Sequence, residues 1–272
     1  MVFSLGPRAL AAGTSLAAFD STGSTNVEAL DRARTGERGP MWFVTSQQTA
    51  GRGRRHRPWI APSGNLACSI LEVIDVPPAV AATLGFAAGL ALEAALRLVS
   101  MEARLRSPGS EDMKFALKWP NDVLAGRAKL AGILLEAEAT ADDRLAVVVG
   151  IGTNVVAFPQ DTPYPATSLH ALGVQVGAED LFNALSDSWS EYRGIWDEGR
   201  GFPEIRKQWL VRAAGLGEPV SIQSGSSIIS GIFDTIDESG CLIVRTSDGA
   251  TVPISAGDVH FGSAASAGTP KP

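Results

Sequence analysis

The chain has 272 residues, of which 45% are hydrophobic and 19% are charged, and its formal net charge is −6. This composition is typical of a soluble globular protein, and the length allows one large domain plus a small one. The negative charge argues against broad binding to nucleic acid. The two cysteines, Cys68 and Cys241, lack the spaced partners of a disulfide framework or a zinc site, so we expect no metal cage.

The alanine-rich start of the chain is interrupted by Gly13, Thr14 and Ser15. We therefore do not interpret it as a signal peptide, and we expect a cytoplasmic protein. Hydroxyl and amide side chains at 24–26 then precede a predicted helix that runs through residue 33. A strand predicted at 41–46 follows this helix.

An arginine-rich segment follows that strand. The sequence GRGRRHRPW at 51–59, which we call the arginine loop, contains four arginines, two glycines, a histidine and a tryptophan. Arginine matches phosphate and carboxylate oxygens, glycine lets the backbone approach a ligand, and tryptophan can stack on a purine. An anionic ligand is the first interpretation and a solvated surface loop is the alternative. Because the arginines repel one another, we expect the loop to be mobile until an anion binds.

Short apolar segments make up the middle of the chain. The stretch 76–99 is typical of a buried alanine-rich helix, and not of a membrane span, since it carries Glu93 and Arg97. A turn is expected at 120–122, and a polar, flexible stretch at 150–154. Strands are predicted at 65–73, 115–119, 131–138 and 145–150.

The last third of the chain changes character after Gly215. Between 179 and 214 helices are predicted, with one apolar face formed by Leu181, Leu185, Trp189, Tyr192 and Trp196. From there to Phe261, short β-like runs alternate with turn signals, which predicts a small antiparallel barrel. We therefore predict a large domain at 1–214, a barrel at 215–262 and a disordered tail at 263–272.

Six motifs then point to a family. In order they are GSTN at 23–26, QQTAGRGRRHRPW at 47–59, KWPNDVL at 118–124, KLAGILLE at 129–136, GIGTNV at 150–155 and ATSL at 166–169. Together they resemble the biotin protein ligases, from about residue 20 to 260. The resemblance implies an α+β fold, in which a mixed β-sheet catalytic domain of the class II synthetase and lipoate-ligase type is backed by helices and followed by an SH3-like β-barrel. It also implies that biotin and ATP give biotinyl-5′-adenylate, from which a lysine of a carrier domain displaces AMP.

The resemblance also implies roles for individual residues. The implied catalytic residues are Lys129, Arg54, Asp122 and Lys118. The implied biotin contacts are Ser24, Thr25, Asn26, Gln48, Gly51, Arg52, Gly53, Arg54, Lys129 and Gly132. The implied contacts to ATP and the adenylate are Arg54, Arg55, Arg57, Trp59, Asn121, Lys129 and Asn154. Mg²⁺ is implied only as the ion that binds together with ATP.

Some of these residues have simpler explanations that the sequence leaves open. One alternative for Ser24 is that it caps the helix and has no other role. Asn121 could shape the turn without contacting a ligand, and Lys129 could be an ordinary surface lysine. Asp122 can orient the acceptor lysine or accept its proton, since a lysine of pKa about 10.4 is protonated at pH 7. His56 stands where many relatives have glycine, which bears on how the loop closes.

The implied acceptors are biotin carboxyl carrier domains of acyl-CoA or pyruvate carboxylases, with no nucleic-acid or membrane partner. Only about 20 residues precede GSTN, too few for the N-terminal helix-turn-helix of some relatives, so a monofunctional ligase is expected. The nearest enzymatic alternative is a lipoate or octanoate transferase. A nucleic-acid module that uses the arginine loop is an alternative of another class, and nothing in the sequence assigns an oligomeric state.

Overall fold

The computed structural model describes residues 2–106, 113–160, 162–224 and 227–261. The helices in these residues are α1 (Pro7–Ala11), α2 (Thr25–Arg34), α3 (Pro78–Ala81), α4 (Leu84–Arg106), α5 (Ala178–Trp196) and α6 (Phe202–Val211). The strands are β1 (Ser15–Ala18), β2 (Met41–Thr45), β3 (Leu66–Ile74), β4 (Phe115–Lys118), β5 (Asp122–Ala125), β6 (Ala128–Ala139), β7 (Leu145–Thr153), β8 (Pro219–Ser224), β9 (Ser227–Ile236), β10 (Leu242–Arg245), β11 (Thr251–Ile254) and β12 (Asp258–Phe261).

A seven-stranded mixed sheet has the order β1-β2-β3-β7-β6-β5-β4. β1 runs parallel to β2, and the other neighbours pair antiparallel. The central strands β3 and β7 pair over their whole lengths, and nearly all of their residues are buried, as is typical of strands covered on both faces. The predicted mixed sheet backed by helices is confirmed.

Alternate side chains of the central strands face two helical layers. Trp42 points toward α4 and α5, where its ring contacts Phe182 and Trp189 edge-on. Phe43, its neighbour on β2, points to the opposite face, which α2 covers. The apolar face predicted for α5 is buried as expected. The stretch from α3 through α4 is long and apolar enough to span a bilayer, but most of it is buried inside the protein, as predicted for a core helix.

After α6, a five-stranded antiparallel sheet has the order β11-β10-β9-β8-β12. Its buried residues belong to the same hydrophobic cluster as the helical layer, so one continuous core joins the two sheets. Trp119 Nε1 also donates to Gly240 O at 3.0 Å across this junction. The predicted tail at 263–272 lies outside the described residues.

Two predicted regions differ from the structure. The strand predicted at 145–150 extends to Thr153, so Gly152, expected in a flexible stretch, lies inside β7 together with Gly150 and pairs with β3 and β6. A Cβ on Gly150 would lie 2.0 Å from Asn26 Oδ1, and one on Gly152 would lie 2.5 Å from the Trp59 indole. Close packing, and not backbone flexibility, explains these glycines. The start of the chain forms α1 and β1, which are too short to show a periodicity in the sequence.

Candidate functional site

A cavity of about 780 Å³ is lined by residues of both sheets. Its walls come from the start of α2, the arginine loop, β6, β7 and the turn before β5, together with the residues around the start of β12. Most of the residues with predicted roles line it: Ser24, Thr25, Asn26, Gln48, Arg52, Gly53, Arg54, Arg55, Arg57, Trp59, Lys118, Asn121, Asp122, Lys129 and Gly132. The fold therefore brings together motifs that are far apart in the chain.

Gly51 and Asn154 are the predicted site residues that do not line the cavity. Gly51 is buried behind the loop, where a Cβ would lie 2.5 Å from Gln48 Nε2 and 2.6 Å from Trp59 O. Asn154 is 2% exposed, and its Nδ2 donates to Thr167 O at 3.0 Å. Gly51 therefore packs directly against two lining residues, whereas Asn154 holds the segment around Thr167.

Lys129 and Asp122 form the central charge pair of the cavity. The distance from Lys129 Nζ to Asp122 Oδ1 is 2.6 Å, and the two side chains are 16% and 17% exposed. The backbone of Lys129 is held on both sides, because its N–H donates to Pro165 O at 2.8 Å and its carbonyl accepts from Thr167 N–H at 3.0 Å. The interpretation of Lys129 as a surface lysine is therefore wrong.

Two aromatic rings enclose the ammonium of Lys129. Its Nζ lies 5.5 Å from the centre of the Trp59 ring and 5.4 Å from that of Tyr164, both within the range of cation–π attraction. Trp59 lies against Gly132 and Gly152 of the central strands, where any side chain would push the indole away. The arrangement offers a flat ligand group an aromatic surface beside a fixed cation.

The arginine loop makes one turn of 3₁₀ helix at Arg54–His56, in which Arg55 has the left-handed angles φ 55° and ψ 35°. Arg54 Nη1 donates to Asn121 Oδ1 at 3.2 Å. Burial lowers the pKa of Arg54, although an arginine remains charged near neutral pH. A partly desolvated cation attracts an anion more strongly than an exposed one. The side chain of His56 lies outside the described part of the structure.

Asp258, at the start of β12, pairs with two arginines of the loop. Its Oδ2 accepts from Arg57 Nη2 at 2.7 Å and from Arg55 Nη1 at 3.1 Å. Partial burial alone would raise the pKa of the Asp258 carboxyl, but the hydrogen bond from Arg57 and the nearby arginine charges together lower it. Asp258 therefore supplies a negative charge that partly neutralises the arginine loop. The sequence analysis expected this negative charge only from a bound ligand.

Replacing Asp258 with asparagine is expected to loosen the arginine loop. Each ion pair is partly exposed and is worth about 1 kcal/mol at most, so backbone amides at 51–59 should exchange hydrogen up to about fivefold faster. Asp234→Asn is the control, since Asp234 pairs with Arg245 in the same sheet. Hydrogen exchange measured by mass spectrometry checks this, and equal exchange in the loop of both variants would show that Asp258 does not anchor it.

Ser24 and Asn121 have contacts that their simpler explanations do not include. Ser24 precedes α2 in an extended conformation but makes no capping bond, and it is 7% exposed on the cavity wall, so the interpretation as a helix cap alone is wrong. Asn121 Nδ2 donates to Ile133 O at 2.7 Å while its Oδ1 accepts from Arg54. Asn121 therefore ties β6 to the arginine loop.

Lys118, at the end of β4, is the second lysine of the cavity. Burial lowers the pKa of Lys118, and the charge of Lys129 lowers it further, against the opposing effect of Asp122 and Asp258. Its Nζ lies 5.6 Å from the centre of the Phe261 ring. The cavity thus holds two neighbouring lysines, of which Lys129 has the closer carboxylate.

Sequence reasoning missed further residues of the site, among them Tyr164, Ser69, Glu136 and Asp258. Tyr164 and Asp258 line the cavity, while Ser69 and Glu136 contact Asn26. Glu136 ends the KLAGILLE motif and could have been found there. Asp258 follows Gly257 and has the pattern of a turn residue, and Ser69 is a single serine in an apolar strand, so neither carries a local signal.

The chain matches two protein-family profiles and several known proteins. The profile described as "Biotin/lipoate A/B protein ligase family" matches residues 18–154, and that of the "Biotin protein ligase C terminal domain" matches residues 215–262. The chain is 40% identical to a biotin–[acetyl-CoA-carboxylase] ligase of Paracoccus denitrificans, over 89% of this chain and 98% of the relative. It is 36% identical to the ligase of the same name from Mycobacterium tuberculosis, over 88% and 85%.

The fold also matches a solved structure. The biotin protein ligase from Aquifex aeolicus in complex with biotin and ATP superposes with a TM-score of 0.71 at 24% identity, covering 91% of this chain and 98% of that one. At this identity the similarity concerns the fold alone. The sequence matches and the shared fold agree, and the chain therefore belongs to the biotin/lipoate A/B protein ligase family, among the biotin protein ligases.

Proposed function

We propose that this chain is an ATP-dependent biotin protein ligase. It activates biotin to biotinyl-5′-adenylate and transfers the biotinyl group to a lysine of a carrier domain. The observation that carries the proposal is the enclosed Lys129 ammonium, which lies between the partly buried carboxylate of Asp122 and two aromatic rings and shares its cavity with the arginine loop. The names of the relatives at 36% and 40% identity support the same activity.

In the first step a carboxylate oxygen of biotin attacks the α-phosphorus of ATP, and the bond to pyrophosphate breaks. This step brings anions together, so cations already in place lower its barrier. Lys129 is a cavity cation enclosed by two aromatic rings, and it exchanges Asp122 for the incoming carboxyl and phosphate oxygens. Arg54, held by Asn121, adds a second positive charge on the side of the arginine loop. Trp59 offers its ring to the adenine.

In the second step the acceptor lysine amine attacks the acyl carbon of the adenylate, and AMP leaves as the amide forms. A free lysine is almost fully protonated at pH 7, so a proton acceptor is needed. Once Lys129 is engaged by the anionic ligand, the carboxylate of Asp122 is free to orient the incoming amine and accept its proton. The ion pair at 2.6 Å thus links the two steps through one exchange of partners.

The remaining assignments belong to the same proposal. We assign residues 1–214 to the catalytic domain and residues 215–262 to an SH3-like barrel, whose Asp258 pairs with arginines of the arginine loop. Mg²⁺ accompanies ATP on the phosphates. In the part of the chain that the structure describes, no three His, Cys, Asp or Glu side chains converge, so the donors do not fit a resident metal, and we derive no step through one.

The proposed acceptor is the biotin carboxyl carrier domain of acetyl-CoA carboxylase, which the names of the relatives suggest, and carrier domains of other acyl-CoA carboxylases and of pyruvate carboxylase are further candidates. We propose a cytoplasmic location, no nucleic-acid partner and no membrane partner. The net charge of −6 and the anchoring of the arginines by Asp258 support the absence of a nucleic-acid partner.

Titration calorimetry with three probes tests the proposed ligand. Biotin should bind, while lipoate and a short single-stranded oligonucleotide should give no saturable heat under the same conditions. Biotin-dependent release of pyrophosphate from ATP then tests the first step. Saturable binding of lipoate without biotin would support the transferase alternative, and binding of the oligonucleotide alone would support the nucleic-acid module.

A further inference from the structure

A buried chain of polar side chains crosses the floor of the cavity. Asn26 Nδ2 lies 2.7 Å from Glu136 Oε2, and Asn26 Oδ1 lies 2.6 Å from Ser69 Oγ. Ser69 Oγ lies 2.7 Å from Thr25 Oγ1, and the N–H of Thr25 donates to Gln48 Oε1 at 3.0 Å. Asn26 and Thr25 are 5% and 3% exposed, and Ser69 is fully buried. We call these five side chains the floor network.

The number of polar hydrogens on each side chain determines which group donates in each hydrogen bond of this network. A carboxylate only accepts, so Glu136 requires the amino group of Asn26 on its side and leaves Asn26 Oδ1 facing Ser69. Ser69 has one hydroxyl hydrogen, which Asn26 Oδ1 needs because a carbonyl oxygen cannot donate. The hydroxyl of Ser69 therefore accepts from that of Thr25.

Steric contacts do not determine which way the side-chain amide of Asn26 is oriented. Its amide oxygen and nitrogen are nearly equal in size, and Gly150 leaves room for either against the strand. The choice is electrostatic, because Glu136 at 2.7 Å and the carbonyl oxygen of Leu134 at 3.5 Å can only accept from Asn26, and Glu136 is the closer and the charged partner. With Asn26 set, its amino group donates to Glu136 Oε2 at 2.7 Å and makes a longer contact of 3.5 Å to the carbonyl oxygen of Leu134.

Glu136 also reaches the arginine loop. Its other carboxylate oxygen, Oε1, lies 3.6 Å from Arg52 Nη2, and both side chains are only partly exposed, 29% for Glu136 and 40% for Arg52. One carboxylate thus contacts both the polar floor and the loop that borders it.

We propose that Glu136 is a positioning residue that fixes the donor and acceptor pattern of the cavity floor and ties this floor to Arg52. This inference rests on the proposed function, in which the floor receives the cyclic urea of biotin. A urea has one acceptor oxygen and two donor N–H groups, so it binds well only to a floor whose own pattern is fixed beforehand. Glu136 acts through Asn26 and takes no part in bond making.

The test compares Glu136→Gln with Glu138→Gln in the full chain. The Glu136→Gln change keeps the shape of the side chain, but the new amide can present either an oxygen or an amino group. The orientation of Asn26 then depends on the longer contact of its amino group to Leu134 O alone. Biotin should bind about tenfold more weakly, and its KM should rise by the same factor while the KM for ATP stays within about twofold. Glu138 lies two residues further along β6 and pairs with Arg34 outside the cavity, so its variant should behave as the original chain.

A second variant probes the network one step from Glu136. Ser69 does not line the cavity, so Ser69→Ala removes no contact to a ligand. We expect Ser69→Ala to weaken biotin binding with the same sparing of ATP. The double variant should be little worse than the more affected single one, because both changes act on one network. If Glu136→Gln folds poorly, Ser69→Ala alone still tests the network, since it keeps the carboxylate.

Titration calorimetry with biotin, together with thermal unfolding of each variant, separates the outcomes. If the original chain gives no biotin heat, the proposed function fails. If the original chain binds biotin and Glu136→Gln binds it equally, the positioning role is wrong. Equal increases of both KM values would also overturn it, because they indicate a general loss of structure. Additive losses in the double variant would overturn it as well, because they indicate that the two residues act independently.

Discussion

Lys129→Ala is expected to slow biotin-dependent pyrophosphate release by about 10²- to 10³-fold, the effect of removing one charge-stabilising donor from a preorganised site. The loss has two physical sources. The cation at the forming carboxyl–phosphate linkage disappears, and Asp122, whose side chain is 17% exposed, is left as an unpaired negative charge where two further anions must bind. Single-turnover measurement of pyrophosphate release checks the rate of this step.

Two further variants separate these sources. Asp122→Asn in the Lys129→Ala chain removes the stranded carboxylate, so a partial recovery of pyrophosphate release is expected, but the rate should stay well below that of the original chain. Lys207→Ala, which removes an exposed lysine on α6, is the control. A Lys129→Ala chain that unfolds normally and releases pyrophosphate at the original rate would exclude Lys129 from catalysis.

Arg54→Gly is expected to release biotinyl-5′-adenylate into solution about 10- to 100-fold faster, the equivalent of one charge-assisted hydrogen bond. Arg54 is a partly desolvated cation that contacts Asn121 and the carbonyl of Gly257, so it joins the arginine loop to both sheets. Glycine removes these bonds and adds backbone freedom. The mixed anhydride then escapes and acylates lysines of unrelated proteins, since a closed site is what excludes water and other nucleophiles.

The measurement is the amount of free adenylate after a single round of activation, together with biotin found on an added bystander protein. Arg54→Lys keeps the charge but loses the planar fork, and it should give an intermediate release. Arg144→Ala removes an exposed arginine between β6 and β7 and should change nothing. Adenylate release from Arg54→Gly at the original rate would show that the loop does not retain the intermediate.

Local patterns predicted much of the fold. The face of α5 was predictable because apolar residues at spacings of three and four coincide with one side of a helix, and Trp189 and Trp196 are buried there. The strand predicted at 41–46 was found because a short apolar run follows a helix and precedes a glycine-rich segment. The order of the motifs predicted which residues meet, and most of them line one cavity.

Other features depend on contacts that no local pattern carries. Asp258 lies 201 residues after Arg57, and Glu136 lies 110 residues after Asn26, so their partners become visible only when the strands are placed. Gly152 was predicted to be flexible because glycine lowers strand propensity, yet close packing against Trp59 requires it in a central strand. The mobility predicted for the arginine loop rested on repulsion among arginines, and Asp258 offsets part of this repulsion.

The exchange of partners between Lys129 and Asp122 is the central element of the proposed mechanism, because the same ion pair serves both steps. It predicts that Asp122→Asn affects the two steps unequally. Adenylate formation should persist, since Lys129 remains, while transfer to the acceptor lysine should slow by about 10²-fold, the usual contribution of a general base. Adenylate supplied in advance to the variant would isolate the second step.

Intact-mass spectrometry of a biotin carboxyl carrier domain, incubated with this protein, biotin and ATP, tests the central claim most directly. We predict that the domain gains the mass of one biotinyl group, on a single lysine, only when both biotin and ATP are present, and that Lys129→Ala abolishes the gain on the same time scale. An unchanged carrier mass with the folded original chain, or a gain with lipoate in place of biotin, would contradict the assignment of this chain as a biotin protein ligase.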